Sequence, residues 1–482
     1  MKISIVPFVL ATGVGLASAW AAGAPGGRPA AVPSSFVEVQ GATNLSSAAP
    51  VERWWTTLKD PELSRLISRA LRNNLDLKTA EARLLEARAA RRSARADLFP
   101  TVDSTVSFSR IRGGYESGNV HVGNGGSGGA NAGAIFVAPY ETNLFQVGFD
   151  ASWEIDFFGG RRHELQAATA DFQAAEEDRR DVMVSLAAEC ARNYLELRGA
   201  QRRIAITQDN VKLQSDVLHL TEVRAHAGLG TELDVERQRE QLASTEASLP
   251  SLESAERESI YELSTLTAQA PTALVEELEK SEPLPLAPPE IPVGLPGDLL
   301  LRRPDLRRAR SQMVAAAARV GQARADLFPK IVLTGAAGRQ ATGIHQFTLG
   351  AGNFFSLGPQ LSLPVFNAGR IRANIETQKQ RLNESSLAYQ NAILNVLREV
   401  ETSLTSYQHE QERREELVIA EDASKRATQM ANELYVRGLA DFLSVLDAQR
   451  QQLQAEDALA ESDTTVLTDL VAIYKSLGGG WQ

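Results

Sequence analysis

The sequence predicts an α+β membrane protein made by internal duplication of one unit: a helix, a β-hairpin and a long helical hairpin. Three observations carry this. The heptapeptide ARADLFP at Ala94–Pro100 recurs at Ala323–Pro329, 229 positions later. Segments after each copy alternate apolar and polar residues at the period of a strand. Arg161–Ala227 and Arg370–Arg437 then run helically without a proline.

The duplication extends beyond the heptapeptide. Leu71, Asp76, Leu77 and Ala80 match Leu300, Asp305, Leu306 and Ala309 at the same offset. FFGGRRHE from Phe157 matches FNAGRIRA from Phe366, and GLGTELDV from Gly228 matches GLADFLSV from Gly438, at offsets of 209 and 210. The first copy therefore carries about twenty extra residues before Phe157, and its Gly-rich run over 112–134 reads as a loop of open role. The expected organisation is a signal peptide over 1–19, an extended segment over 20–53, a first repeat over 54–280, a Pro-rich linker over 281–297 and a second repeat over 298–482.

The signal peptide rests on Lys2, the apolar stretch Ile3–Leu16 and the small residues Ala17-Ser18-Ala19. No later stretch has 18 apolar residues, so no transmembrane helix is expected. The net charge of −10 argues against nucleic acid as a partner. Cys190 is the one cysteine, which leaves no intrachain disulfide or thiolate metal cluster.

Each repeat opens with a helix. Asp60 is a good N-cap with Pro61 at the first helical position, and one helix is expected to about Asp97, stopped by Pro100. Thr101 to about Ile111 then puts Val102, Val106 and Phe108 on one face. Phe145, Val147, Phe149, Ala151, Trp153 and Ile155 do the same in the partner strand. In the second repeat Phe355, Leu357, Leu361, Leu363 and Val365 alternate with polar residues, and KIVLTGAA from Lys330 reads as a shorter strand before them. About 9–11 tilted residues with one apolar and one polar face are the pattern of a transmembrane β-barrel.

The proline-free stretch Arg161–Ala227 spans about 100 Å as a helix. Leu197, Ile204, Val211 and Leu218 repeat every seven residues, a thin coiled-coil seam because Gln201, Gln208 and Ser215 between them are polar. Both long helices stop at Gly-Leu, Gly228-Leu229 and Gly438-Leu439. Return helices start at once, capped by Thr231 with Asp234 and by Asp441, and run to about Gln269 and Lys475.

Four membrane-type strands cannot close a barrel, and lipid leaves no water to satisfy open strand edges. The chain must assemble. Two copies give eight strands and a filled interior; three give twelve and room for the polar faces to line a lumen.

The order of elements resembles the TolC-like outer-membrane efflux proteins, in the NodT-like branch that pairs with resistance-nodulation-division pumps. The resemblance rests on WWTTLKDPELSRLISRALRNNLDL from Trp54, the two ARADLFP copies, LLRRPDLRRA from Leu300, LSLPVFNAGRIRA from Leu361 and YVRGLADFLSVLDAQRQQL from Tyr435, and covers nearly the whole mature chain. It implies a homotrimer whose twelve-stranded β-barrel in outer-membrane lipid continues into a twelve-helix periplasmic α-barrel. It implies a passive exit duct for drugs or other small toxic solutes, driven by an inner-membrane pump through a periplasmic adaptor. The adaptor would meet the tips, at Gly228, Leu229 and Leu233 and at Gly438, Leu439 and Leu443. Asp447 would ring the periplasmic mouth, with Tyr435 and Asp234 making a contact between neighbouring hairpins that holds it shut. Ser444 stands where some relatives carry a second aspartate. Many relatives also carry a lipobox cysteine, and this chain has none after its leader, so it is not expected to be a lipoprotein.

Type I protein secretion and metal-ion efflux remain open within the duct class. A secreted coiled-coil scaffold or adhesin would explain the helices but not two amphipathic hairpins at matching positions. No enzyme reading survives. Gly125-Gly126-Ser127-Gly128-Gly129 matches the hydrolase elbow in form only, since it lies in a glycine run without the flanking strand and helix. His219 and His226 share a helix face, but a metal needs further ligands, so no metal or cofactor is expected.

Overall fold

The structure, a computed structural model, describes residues 33, 35–36, 45–46, 52–113, 140–344 and 352–481. The expected signal peptide and nearly all of the Gly-rich loop lie outside the described residues. In chain order the elements are β1 (Leu45–Ser46), a 3₁₀ turn (Trp54–Leu58), α1 (Pro61–Asn73), α2 (Leu75–Ala96), β2 (Thr101–Gly113), β3 (Tyr140–Ile155), α3 (Gly160–His226), α4 (Glu232–Glu246), α5 (Leu249–Leu266), α6 (Val275–Leu278), β4 (Ile291–Pro292), α7 (Pro296–Arg302), α8 (Pro304–Ala325), β5 (Lys330–Ala341), β6 (Asn353–Ser362), α9 (Arg370–Val436) and α10 (Phe442–Ser476). The chain divides into two compact units. One draws on Met1–Ala87, Asp171–Met313 and Asn383–Gln482, the other on Arg88–Ala170 and Val314–Leu382.

The smaller unit holds an antiparallel sheet in the order β2-β3-β5-β6. Its register brings most of the apolar positions of the four strands to one face. Val106 pairs with Val147 and Phe108 with Phe145, while Phe149 pairs with Ala337 and Ala337 with Phe355. Polar residues share the other face, where Asp103 pairs with Asp150 and Ser107 with Gln146. The apolar face is uncovered: Val106 is 78% exposed, Phe149 63% and Phe355 87%. Strands β2 and β6 each have one partner, so both edges of the sheet are open among the described residues. Strand β5 runs twelve residues against ten for β6, so it is longer than its partner, not shorter as the KIVLTGAA segment suggests. Its last third, Gly338–Ala341, carries little hydrophobic signal and is held by its ladder with β3, and with β6 as far as Arg339.

In the larger unit Trp54 stacks on Tyr474 at 5.1 Å within a core that includes Leu63, Ile67, Tyr194, Leu195 and Leu470. Asp60 caps α1 as its sequence predicts, accepting from the Leu63 amide at 2.9 Å and from the Tyr194 hydroxyl at 2.8 Å. Gly199 lets α10 approach α3 closely, since a Cβ there would fall 2.8 Å from Cγ2 of Thr464. Trp481 lies under two guanidinium groups, Arg180 at 4.8 Å and Arg307 at 5.5 Å.

The single opening helix expected in each repeat is two helices. Asn74 turns out of the helix at ψ 138° and restarts it, its side-chain oxygen accepting from the amides of Asp76 at 2.8 Å and Leu77 at 3.0 Å. Arg303, 229 positions on, makes the same break before Pro304 at ψ 122°. It pairs with Asp305 at 2.8 Å and Glu399 at 2.9 Å. The first return helix also divides, into α4 and α5, because Pro250 has no N–H to offer the ladder.

The seam differs too. On α3 the buried line is Thr207, Asn210, Gln214, Val217 and Thr221, spaced 3-4-3-4, whereas Ile204, Val211 and Leu218 are half-buried. The buried line of α4 is Val235, Gln238, Gln241 and Thr245, and Gln238 donates to the Gln214 carbonyl, while Asn210 donates to Glu456 of α10 and Val217 packs with Phe442 and Val445. The hairpin interior is therefore largely polar.

Candidate functional site

The two turns that reverse the long helices are built alike. Gly228 has φ +74° and Gly438 φ +70°, in the left-handed region open to glycine, and neither would find anything within 4 Å of a Cβ. In the first, the Gly228 amide donates to the Ala225 carbonyl at 2.9 Å and the Leu229 amide to the Arg224 carbonyl at 2.8 Å. In the second, Gly438 donates to Tyr435 at 3.0 Å and Leu439 to Leu434 at 2.8 Å. These are Schellman caps, which satisfy the last helical carbonyls. Leu229, Leu233, Leu439 and Leu443 are all more than half exposed, so each tip presents apolar side chains outward.

The starts of the return helices mirror one another with their chemistry exchanged. Thr231 caps α4, and the Asp234 carboxylate reaches back, accepting from the Thr231 amide at 3.2 Å and hydroxyl at 2.7 Å. At the matching positions Asp441 caps α10, and Ser444 donates to it through its amide at 3.0 Å and its hydroxyl at 2.5 Å. Those two bonds hold the Asp441 carboxyl below the usual carboxylate range.

The residues expected at the mouth fall in three settings. Asp447 is exposed and forms no ion pair or hydrogen bond among the described residues. Tyr435 is buried in a small cluster with Val217, Phe442, Val445 and Leu446. Its hydroxyl bonds to no described residue. Asp234 spends its carboxylate on its own cap, and no bond joins it to Tyr435 within the chain.

Sequence reasoning passed over Arg224. Its guanidinium lies over the Tyr435 ring at 4.5 Å and donates to the carbonyls of Tyr435 at 3.2 Å and Val436 at 3.4 Å, while its Nε is buried without a partner. It thereby ties the end of α3 to the end of α9. Arg450 likewise joins α10 to α4 through Gln241 and through Glu240 at 3.0 Å. A lone arginine near a helix end has no sequence signature, because its partners are carbonyls 211 and 212 positions away.

No group of His, Cys, Asp and Glu suited to a metal occurs among the described residues, and His226 bonds the Glu222 carbonyl at 2.8 Å. No helix among them is long and apolar enough to cross a membrane.

Comparison with known proteins gives a consistent result. The outer membrane efflux protein family profile matches residues 66–269 and 295–479. The pyoverdine export outer membrane protein OpmQ of Pseudomonas aeruginosa is 34% identical over 92% of this chain and 90% of its own. The solvent efflux pump outer membrane protein SrpC of Pseudomonas putida is 32% identical over 88% of this chain and 86% of its own. Among solved structures, the outer-membrane channel OprN superposes with a TM-score of 0.86 at 35% identity, covering 95% of this chain and 99% of that one. The open state of the Neisseria gonorrhoeae MtrE channel gives 0.81 at 26% identity, over 95% and 98%. With both repeats matched and the strands, long helices and capped tips in place, the chain belongs to the outer membrane efflux protein family and is an outer-membrane component of an efflux system.

Proposed function

We propose that three copies of this chain form a passive exit duct, a twelve-stranded β-barrel in the outer membrane continued by a twelve-helix periplasmic tube. The carrying observation is the four-stranded sheet with an uncovered apolar face and two open edges. In lipid each open edge leaves a row of amides and carbonyls unsatisfied, at several kcal/mol per group, so β2 of one chain must pair with β6 of the next. The apolar face then meets lipid and the polar face lines the lumen. An inner-membrane pump of the resistance-nodulation-division type supplies the energy, and a periplasmic adaptor docks on the tips through Gly228, Leu229, Leu233, Gly438, Leu439 and Leu443. The relatives named for solvent and pyoverdine export support small toxic solutes as cargo.

The mouth of the duct is gated by Asp447, Tyr435 and Asp234. Three Asp447 carboxylates around a narrow axis attract cations and resist close approach of the helices. Against that repulsion the Tyr435 hydroxyl, unpaired among the described residues, donates to Asp234 of the neighbouring copy, a charge-assisted bond.

Native mass measurement in detergent tests the assembly. Three chains per particle is the expected result, and a stable monomer that needs no detergent would overturn it.

A further inference from the structure

One row of the sheet's polar face is unlike the rest. Thr105, Gly148, Gly338 and Phe354 are directly paired across the four strands. On either side the face carries Asp103, Ser107, Asp150 and Ser356. The ring of Phe354 lies across both glycines. A Cβ built on Gly338 would fall 2.9 Å from Phe354 Cε1, and one on Gly148 would fall 3.3 Å from Cζ. The backbone closes the same space, since a Cβ on Gly148 would lie 2.8 Å from the Ala337 carbonyl oxygen and one on Gly338 would strike that of Val147. Neither position admits a side chain. Two glycines side by side weaken a strand, and an aromatic ring laid over them restores cover to the bare backbone. That accounts for one face of the ring. Phe354 is half-buried, so its other face stays open on the side away from the strands.

We infer that Phe354 is a specificity-determining residue of the lumen, a flat apolar platform on which aromatic parts of passing solutes stack. This rests on the duct reading, in which the polar face lines the lumen and three copies bring three such rings to one level. The next row on this face sets Asp103 directly opposite Asp150, about 7 Å along the strand. The Thr105 hydroxyl donates to Asp150 Oδ2 at 2.6 Å and orients it toward the ring row. Aromatic cations are therefore the class of solute that the ring row and its neighbour together suit.

The test is current block in planar bilayers, with benzyltrimethylammonium as the aromatic probe and tetramethylammonium as the control. Phe354→Ser should weaken block by the aromatic probe about 2- to 10-fold, the size of one aromatic contact, and leave block by the control unchanged. Unchanged aromatic block would overturn the inference. Phe354→Leu keeps apolar cover over the glycines and should lose the same preference; if it retains the preference, the ring is not the determinant. Cysteine labelling separates this result from the duct reading. A charged methanethiosulfonate reagent should reduce current through Phe354→Cys channels and leave Phe355→Cys channels unaffected. Reaction at Phe355→Cys alone would reverse the two faces and remove both readings. The native Cys190 is fully buried and burial pushes its thiol up to about 12, so it stays silent.

Discussion

The guanidinium of Arg224 lies 4.5 Å above the ring of Tyr435 and donates to that same residue's carbonyl oxygen at 3.2 Å. One side chain thus holds both an aromatic ring and a helix C-terminus. Arg224→Ala removes both contacts and should cost about 1–2 kcal/mol locally. The measurement is hydrogen exchange, with faster exchange over residues 428–437 and no change in the strands. Arg224→Lys keeps the charge but not the flat fork, so it should restore less than half of the protection. Equal exchange in wild type and Arg224→Ala would remove the clasp.

Asp447 is exposed and unpaired among the described residues, so neutralising it should change stability by less than about 0.5 kcal/mol. Its proposed effect is on ions. Asp447→Asn should lower the cation-to-anion permeability ratio measured from reversal potentials in a salt gradient. An unaltered ratio would take the ring out of the mechanism.

Gly438 needs its left-handed backbone and has open space where a Cβ would sit. Gly438→Ala therefore adds backbone strain alone, about 1 kcal/mol, and should lower the melting temperature slightly. Proline at both Gly228 and Gly438 deforms both tips and should abolish export while trimers remain in the membrane. Export that survives this double change would place adaptor docking elsewhere.

Asp469 on α10 lines a groove of about 410 Å³ together with Arg398 and Glu399 of α9. Burial first, and then the charge of Glu410, push its carboxyl up to about 6. For an acid raised in the folded state, the stabilising contribution is complete below the ordinary value near 3.8 and is lost as pH rises through about 6. After screening, the loss is on the order of 1 kcal/mol per chain. Melting curves from pH 4 to 7 should show the wild type falling relative to Asp469→Asn across that window. Parallel curves would mean that the group does not titrate there.

Much of this architecture was legible because its signals are local. Gly228 and Gly438 end their helices within a residue of where a left-handed cap predicts, and the strand period named the apolar face that the register assembles. The misses have a common cause in distant partners. Asn74 looks like an ordinary helical residue until its side-chain amide donates to the Leu266 carbonyl at 3.0 Å, 192 positions away. The heptad pattern places the seam on α3 among aliphatic residues, because burial in water favours them, yet the buried line carries Thr207, Asn210, Gln214 and Thr221. Periodicity of hydrophobicity cannot report a buried line that is polar. At the proposed mouth, resemblance points to Asp447 and Tyr435, but the sequence is silent on Arg224, whose role depends on where α9 ends in space.

That polar seam has a mechanical consequence. Gln214 leaves both amide atoms buried without a partner, as does Gln449, and Gln238 leaves its oxygen so. Two bonds cross the α3–α4 hairpin among the described residues: Gln238 donates to the Gln214 backbone carbonyl at 2.9 Å, and Arg239 donates to Glu222 at 3.2 Å nearer the tip. An apolar seam locks its register, because sliding it exposes hydrocarbon to water. Here the buried amide atoms of Gln214 and Gln238 have no partner to lose, so a small rotation of one helix on the other breaks few bonds. An α3–α4 seam of this kind acts as a bearing, compliant to turning about its own axis.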